Sequence, residues 1–152
     1  MPHTIDKVKQ SGDDVLDIVH SVMHQVRSRQ SRWLREEALD ITHMDSRVLG
    51  FFGRHPGATQ SDLAVHSGRD KAQLARLVKG LRDRGLLAAE ADVVDRRNVR
   101  LTLTAQGRLL QDQLRGLAAR LGDKAVAGLS AEECRVLAGL LRRVQVNLGG
   151  ED

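Results

Sequence analysis

Between Val99 and Leu103, apolar residues alternate with polar ones. A period of two places the apolar side chains on one face of a β-strand, which is typical of a strand with one buried face. The residues that follow Leu86 predict a second strand, and Asp95-Arg96-Arg97 lies at the tip of the connecting loop. A two-stranded hairpin is not stable alone, so its apolar face must pack against other elements.

Another periodicity, with apolar residues at i, i+3, i+4 and i+7, predicts helices on both sides of the hairpin. Before it, helices are predicted over residues 13–37, 44–53, 59–67 and 71–84. Thr59 and Asp62 form an imperfect capping box at the start of the third helix. Asp70 is the expected N-cap of the fourth helix, and Gly85 its left-handed C-cap. Two helices joined by a tight turn and followed by a basic-tipped hairpin have the order of a winged helix, which indicates DNA binding.

Two further helices are predicted after the hairpin. Thr104 caps a long one, and Ser130 with Glu133 forms a full capping box at the start of the last. The predicted fold is mainly α with a small β-hairpin wing. A flexible arm (1–12) precedes a single domain (13–152), in which dimerisation helices (13–37 and 104–148) flank a winged helix-turn-helix lobe (44–103).

The first and last predicted helices carry faces rich in valine or leucine that lie outside the winged-helix core. A chain of 152 residues has little structure left to cover both faces. Packing against a second copy would bury them in a two-fold dimer. We therefore expect a homodimer; packing within one chain is the alternative.

The basic residues are concentrated in the centre of the chain. Between Arg54 and Arg108 there are 11 Lys/Arg against 6 Asp/Glu, whereas the remaining residues have 13 against 14. Such asymmetry is typical of a protein with a polyanionic partner, and a solvated charged surface is the alternative. Combined with the predicted order of elements, it favours double-stranded DNA as the partner.

Several classes of protein are not expected. A single cysteine excludes an internal disulfide and a cysteine-based zinc cluster. The sequence has no apolar signal-peptide region and no apolar run of membrane length, so we expect a cytoplasmic protein without a membrane partner. It also lacks a Gly-rich phosphate loop, a nucleophile elbow and a His-Glu-x-x-His helix, so neither an enzyme nor a cofactor is expected. The alternative to a DNA-binding regulator is a winged helix that serves only as a protein-interaction module.

The chain resembles the MarR family of transcriptional regulators from about Asp13 to Leu148. The matching motifs are T-Q-S-D-L-A at residues 59–64 and L-x-R-L-V-x-x-L-x-x-x-G-L at 74–86. The most specific match is the D-R-R tip followed by V-R-L-T-L-T-A-Q-G at 99–107. The resemblance implies a homodimer of winged-helix subunits that binds pseudo-palindromic promoter DNA. Family members usually repress transcription, and many release DNA when a small ligand, a metal or an oxidant binds.

The fourth predicted helix carries the candidates for base contacts, because the N-terminal part of the second helix in a helix-turn-helix enters the major groove. Gln73 can pair with adenine, and the methyl group of Ala72 can contact thymine. Lys71 and Arg76 can contact either guanine or phosphate. The N-terminus of the preceding helix suits a phosphate. The predicted DNA-binding residues of the two helices are Thr59, Gln60, Ser61, Lys71, Ala72, Gln73, Arg76 and Lys79.

The wing supplies the remaining predicted contacts. Arg96 is expected to enter the minor groove, where the negative potential is concentrated. Arg97 and Arg100 complete the predicted basic residues of the wing, and Arg100 suits a phosphate. The family's D-R-R pattern suggests that Asp95 pairs with Arg97 and holds the tip in shape. An exposed ion pair with no further role is the alternative.

A metal-binding or redox sensor is the less favoured interpretation of three histidines and the cysteine. His20 and His24 have a spacing that suits metal ligands, and His43 lies in the next segment. Polar histidines on helix faces explain the pattern better, so no metal site is predicted. Cys134 lies near a helix N-terminus, which lowers a thiol pKa, and a packed cysteine is the preferred interpretation.

Two residues are candidates for an effector site. Trp33 and Arg32 lie near the end of the first helix and could border an anionic-ligand pocket. An aromatic anchor for the helix end explains Trp33 equally well. The sequence names no effector.

Overall fold

The computed structural model describes the backbone of residues 4–150 and the side chains of residues 11–150. Within these residues it contains six helices and one antiparallel pair of strands, which confirms the predicted mainly α fold with a hairpin wing. The chain forms two compact units, one up to Ala118 and the other from Ala119 onward. The elements in order are α1 (Thr4–Glu36), α2 (His43–Arg54), α3 (Gln60–Ser67), α4 (Lys71–Asp83), β1 (Leu87–Ala91), β2 (Val99–Leu103), α5 (Ala105–Ala125) and α6 (Ala131–Gly149).

Helix α1 is longer than its sequence pattern predicts. It begins at Thr4, so a flexible arm over residues 1–12 is the wrong expectation for most of that segment, and the first three residues lie outside the described part. Ile5 and Val8 are three residues apart, and Val8 lies seven residues before Val15, so both continue the helical period of apolar residues. The helical pattern therefore continues upstream of the acidic residues that were expected to start the helix.

The first unit has one hydrophobic core, formed by α2, α3, α4 and the hairpin. Phe52, Leu49 and Val78 have no exposed surface. On α4 the buried residues follow the helical period, which turns one face of the helix inward and leaves the other in solvent. The buried residues of this core are Ile41, Val48, Leu49, Phe51, Phe52, Leu63, Leu74, Val78, Leu81, Leu86, Leu87, Leu101 and Leu103.

The wing is fixed to the loop after α2 as well as to itself. β1 and β2 pair antiparallel, with Leu87 opposite Leu103 and Ala89 opposite Leu101. Gly57 donates its amide hydrogen to the carbonyl of Leu101 at 2.9 Å, and the Leu101 amide donates to the carbonyl of Ala58 at 2.9 Å. This short bridge adds a third backbone segment to the hairpin. It orients the wing relative to the helices.

The turn between α4 and the wing has the left-handed residue that the sequence predicts. Gly85 has a φ of +73°. Its amide donates to the carbonyl of Arg82 at 2.9 Å, and the Leu86 amide donates to that of Leu81 at 2.9 Å. These bonds satisfy carbonyls at the helix end, as in a Schellman motif.

Gly107 allows α5 to approach the base of the wing closely. The hydroxyl of Thr104 accepts a hydrogen bond from the Gly107 amide at 3.0 Å, as the predicted cap requires, and donates to the carbonyl of Gly85 at 2.6 Å. A Cβ atom at position 107 would lie 2.1 Å from the carbonyl oxygen of Leu86. The glycine in the L-T-x-x-G motif is therefore required for packing.

The second unit contains the end of α5 and the whole of α6. The Ser130 and Glu133 capping box is present, with hydrogen bonds of 3.1 and 2.9 Å. No residue of α6 is buried in this chain. Its exposed large apolar residues are Val136, Leu137, Leu140, Leu141, Val146 and Leu148. Among the described residues, no helix has the length and hydropathy needed to cross a membrane.

Candidate nucleic-acid interface

The N-terminus of α3 combines a capping box with amides that remain available. Thr59 donates its amide to the Asp62 carboxylate at 2.9 Å, and its hydroxyl accepts from the Asp62 amide at 3.2 Å. Asp62 therefore completes the capping box that the sequence predicts, despite its short side chain. The amides of Gln60 and Ser61 occupy first-turn positions that have no intrahelical acceptor. Because both residues are exposed, these amides suit a phosphate oxygen.

The outward face of α4 carries the predicted base-reading residues. Asp70 caps the helix by accepting from the Ala72 amide at 3.3 Å. Leu74 and Val78 are buried on the inward face. The five predicted residues of this helix are all exposed: Lys71, Ala72, Gln73, Arg76 and Lys79. The structure thus places them on one accessible side of the lobe.

Two of these cations already have partners within the helix. The Nζ of Lys79 lies 2.7 Å from the Asp83 carboxylate, and the two side chains are 76% and 62% exposed. An ion pair that is so exposed contributes little to stability and can exchange for a phosphate. The Nε of Arg76 donates weakly to the carbonyl of Ala72 at 3.4 Å, which leaves the ends of its guanidinium free to contact a ligand.

The tip of the wing has the ion pair that the sequence predicts. The Nε of Arg97 lies 3.5 Å from the Asp95 carboxylate, which also accepts from the Arg97 amide at 3.1 Å. Arg96 is exposed, and within the described part of the chain it has no hydrogen-bond or ion-pair partner. Asp95 therefore organises the loop and leaves Arg96 free at its outer edge.

Arg100 has a structural partner that sequence reasoning missed. Its Nη2 atom lies 3.0 Å from the Asp92 carboxylate, whose side chain is 14% exposed, and its Nη1 atom donates to the carbonyl of Gly57 at 3.4 Å. Asp92 is a diagonal neighbour of Arg100 across the hairpin, because Ala91 pairs with Val99. The pair becomes evident only when the strand register is known.

The Asp92 carboxylate is held in its charged form. Hydrogen bonding from the Val94 amide is the largest cause that lowers its pKa, and Arg100 lowers the pKa further, while burial opposes both. The ion pair with Arg100 is therefore present throughout the neutral range. It connects the outer loop of the wing to the loop after α2.

The three histidines considered from sequence, His20, His24 and His43, lie on two different helices. Among the described residues, no group of three or more His, Cys, Asp or Glu side chains is arranged to hold a metal ion. His20 and His24 are exposed on α1, whereas His43 begins α2. Within this part of the chain, none of the three histidines therefore belongs to a group of that kind. Cys134 is a partly exposed free thiol on α6.

A cavity of about 580 Å³ lies within the first unit, next to the helix-turn-helix. Trp33 lines it, whereas Arg32 is not among the lining residues. Four arginines line the cavity, and none of its lining residues is acidic. Sequence reasoning missed these arginines because they come from three different segments; they are Arg47, Arg54, Arg69 and Arg115. The cavity therefore suits an anion with an apolar body.

His43 lines this cavity, and burial and the neighbouring arginines both lower its pKa. Burial is the largest cause that lowers its pKa below the ordinary value of 6.5, and the charges of Arg47, Arg27 and Arg69 lower it further. At neutral pH the imidazole is therefore uncharged. It can act as a hydrogen-bond donor or acceptor beside the arginines.

The comparisons with known proteins agree with this geometry. Residues 39–98, which include α2, α3, α4 and β1, match the model of the MarR family. The chain is 28% identical over 147 residues to a putative transcriptional regulatory protein for the hcr operon of Thauera aromatica, covering 90% of this chain and 89% of the relative. It is 26% identical over 125 residues to the transcriptional regulator HosA of Escherichia coli O157:H7, covering 82% and 92%.

Solved structures share the fold over most of the chain. FabT of Streptococcus pneumoniae in complex with DNA has a TM-score of 0.81 and 22% identity, over 90% of this chain and 96% of that one. The MepR–DNA complex of S. aureus has a TM-score of 0.75 and 22% identity, over 86% and 94%. The family match over residues 39–98, the related regulators and the shared winged-helix fold agree: this chain is similar to the MarR family of transcriptional regulators.

Proposed function

We propose that this protein is a homodimeric, sequence-specific DNA-binding regulator that acts as a repressor and releases DNA when an effector binds. The observation that carries the proposal is the combination, in one lobe, of an exposed polar face on α4 and a wing with Arg96 free at its tip. A helix of this kind fits the major groove, and an arginine at a wing tip fits the minor groove. The protein binds and releases its partners without catalysis.

Each predicted residue has a place in this proposal. Gln73 and Ala72 contact base edges, while Lys71, Arg76 and Lys79 contact guanine edges or phosphates. The α3 N-terminus binds a phosphate through the residues at positions 59–61. Arg96 and Arg97 contact the minor groove. Arg100 supports the wing through Asp92 and makes at most a secondary phosphate contact, because its guanidinium is already paired.

The apolar faces of α1 and α6 support dimerisation. On α1, Ile18 is 64% exposed and Val22 is 47% exposed. On α6, Leu140 is 51% exposed and Val136 is 51% exposed. Continuous apolar helix faces of this kind mark protein interfaces, and two-fold association is the commonest way to cover them. A two-fold dimer presents two α4 helices to a pseudo-palindromic site.

The arginine-lined cavity supports regulation by a small anion. It is lined by residues of α2, by His66 of α3 and by Leu74 of α4, so an occupant would contact the elements that position the base-reading face. The expected effector is a carboxylate with an aromatic or otherwise apolar body. Arg47 and Arg54 would bind the carboxylate, and Trp33 would pack against the apolar part.

Selection of bound duplexes from a random DNA pool at near-physiological salt tests the DNA-binding proposal. We expect a pseudo-palindrome whose half-sites lie about one helical turn apart. If duplexes bind without sequence preference, the protein is architectural and sequence-specific regulation is the wrong function. If no duplex binds even at low salt, where phosphate contacts are strongest, the protein-interaction module becomes the better interpretation.

A panel of aromatic carboxylates, matched with the corresponding neutral amides, tests the effector proposal. A ligand that binds only the folded protein raises Tm as its concentration rises above its Kd, and it should release the selected duplex. Arg47→Gln should abolish both effects, whereas Arg32→Gln should retain them because Arg32 does not line the cavity. Equal effects of acids and amides would exclude recognition of an anion.

A further inference from the structure

The outer loop of the wing presents two neighbouring apolar side chains to solvent. Val93 is 97% exposed and Val94 is 95% exposed. They are the most exposed large apolar residues in the part of the chain whose side chains are described. Nothing in the dimerisation or effector proposals uses them, since both lie on the wing, outside the arginine-lined cavity and outside α1 and α6.

Backbone hydrogen bonds on both sides of the valines hold the loop in this conformation. The Asp92 carboxylate accepts from the Val94 amide at 2.9 Å. The Asp92 amide donates to the carbonyl of Asn98, and the Asn98 amide donates to that of Asp95, at 2.9 and 3.0 Å. The two valines are therefore exposed on a loop whose conformation is fixed by hydrogen bonds. A preorganised apolar surface binds with a smaller loss of conformational entropy.

The charges that follow the valines favour one kind of partner. Arg96 and Arg97 come two and three residues after Val94 in the same loop, and the side chain of Arg97 is 95% exposed. A surface that is apolar at one point and cationic at the next complements a groove with apolar walls and anionic edges. The minor groove of DNA has this composition, since deoxyribose C–H groups form its walls and phosphates its edges. Proteins that bind this groove often place apolar side chains in it.

We infer that Val93 and Val94 form an apolar contact with the deoxyribose walls of the minor groove, beside the arginine at the wing tip. This inference rests on the proposed function, because it needs the wing to lie on duplex DNA. The contact adds affinity that depends little on salt, since no counterion is released when an apolar group is buried. The contact also makes the affinity depend on the width of the minor groove, because the valines can touch both walls only where the groove is narrow enough.

The experiment compares full-length variants on the duplex recovered by selection, at several salt concentrations. The Val93→Ala/Val94→Ala protein should bind about 10-fold more weakly, because it loses apolar contact area, and its plot of log affinity against log salt should stay parallel to that of the unchanged protein.

Arg96→Ala should weaken binding with a shallower slope. Val93→Leu/Val94→Leu keeps the apolar surface and should retain most of the affinity. Val65→Ala, which changes an equally apolar residue that is 87% exposed on α3, is the control for loss of a surface valine.

A second measurement observes the contact directly. With methyl-labelled valine, the complex should give nuclear Overhauser effects from the methyl groups of Val93 and Val94 to deoxyribose protons of the selected duplex. Unchanged affinity of the double Ala variant at every salt concentration, with a weaker Arg96→Ala protein, would overturn the valine contact and leave the proposed function intact. The contact would also be overturned if the double Ala variant changed the slope of log affinity against log salt as much as Arg96→Ala does, since the loop itself would then have moved. Absence of duplex binding by the unchanged protein would overturn both proposals.

Discussion

At the scale of single residues, Gln73 is the best test of whether α4 reads DNA bases. It is exposed in the first turns of the helix, and its carboxamide offers one donor and one acceptor to an adenine edge. We expect Gln73→Ala to reduce discrimination at one base pair in each half-site by roughly 1–3 kcal/mol. Binding to a set of duplexes with each base substituted in turn measures this preference.

Lys79 provides the matched comparison on the same helix face. It is paired with Asp83, and an ammonium group reads phosphate charge without base identity. Lys79→Ala should weaken binding to every duplex by a similar factor and leave the order of their affinities unchanged. A base preference that survives Gln73→Ala, or one that Lys79→Ala alters, would contradict the assigned roles of the two residues.

His43 makes the stability of the protein depend on pH in a defined direction. Burial and nearby arginines lower its pKa in the folded state below 6.5, so the unfolded chain binds the proton more readily. The free energy of unfolding therefore decreases as the pH falls below about 6.5 and the imidazole of the unfolded chain becomes protonated. His43→Gln should flatten this part of the profile, as measured by urea unfolding at several pH values. His24→Gln, on the exposed surface of α1, should keep the profile of the unchanged protein.

At the scale of elements, the junction of α4, the wing and α5 depends on Gly107. Because a Cβ atom there would lie 2.1 Å from the Leu86 carbonyl oxygen, α5 would have to shift away from the base of the hairpin. We expect Gly107→Ala to lower the free energy of unfolding by roughly 3 kcal/mol. Gly116→Ala is the control, since a Cβ atom there meets nothing within 4 Å and alanine favours a helix. Chemical denaturation compares the two, and equal effects would contradict the packing role of Gly107.

Local sequence signals were sufficient for most elements and for the outward face of α4. The Thr59 and Asp62 box, the turn at Gly85 and the alternation in β2 depend on neighbours in sequence, so their patterns predict them directly. The bridge from Ala58 to Leu101 and the arginines of the cavity depend on residues that are distant in sequence. No periodicity encodes such contacts. The Asp92–Arg100 pair lies between these cases, because it follows from the strand register alone.

At the scale of the whole molecule, the distribution of charge and the apolar helices have separate roles. The excess of basic residues between Arg54 and Arg108 belongs to the segment with the helix-turn-helix and the wing. The apolar residues left exposed on α1 and α6 belong to elements outside that segment. Substitutions that prevent dimerisation can therefore leave the contacts of each lobe with a single half-site unchanged. A variant altered only on α6 should keep the charge of the DNA-binding lobe.

Leu137→Asp/Leu141→Asp tests this separation. Both residues are exposed on α6, at 45% and 41%, and their spacing of four places them on one face of the helix. Two carboxylates in an apolar interface cannot be solvated or paired, so we expect a monomer in analytical ultracentrifugation. Because each monomer holds one α4 helix, the variant should lose most of its affinity for a two-half-site duplex, yet bind a single half-site as weakly as the unchanged protein does. Arg143→Asp changes the charge of an exposed polar residue on the other side of the same helix and should leave the dimer intact. A dimeric Leu137→Asp/Leu141→Asp protein with full affinity would show that α6 is not part of the interface.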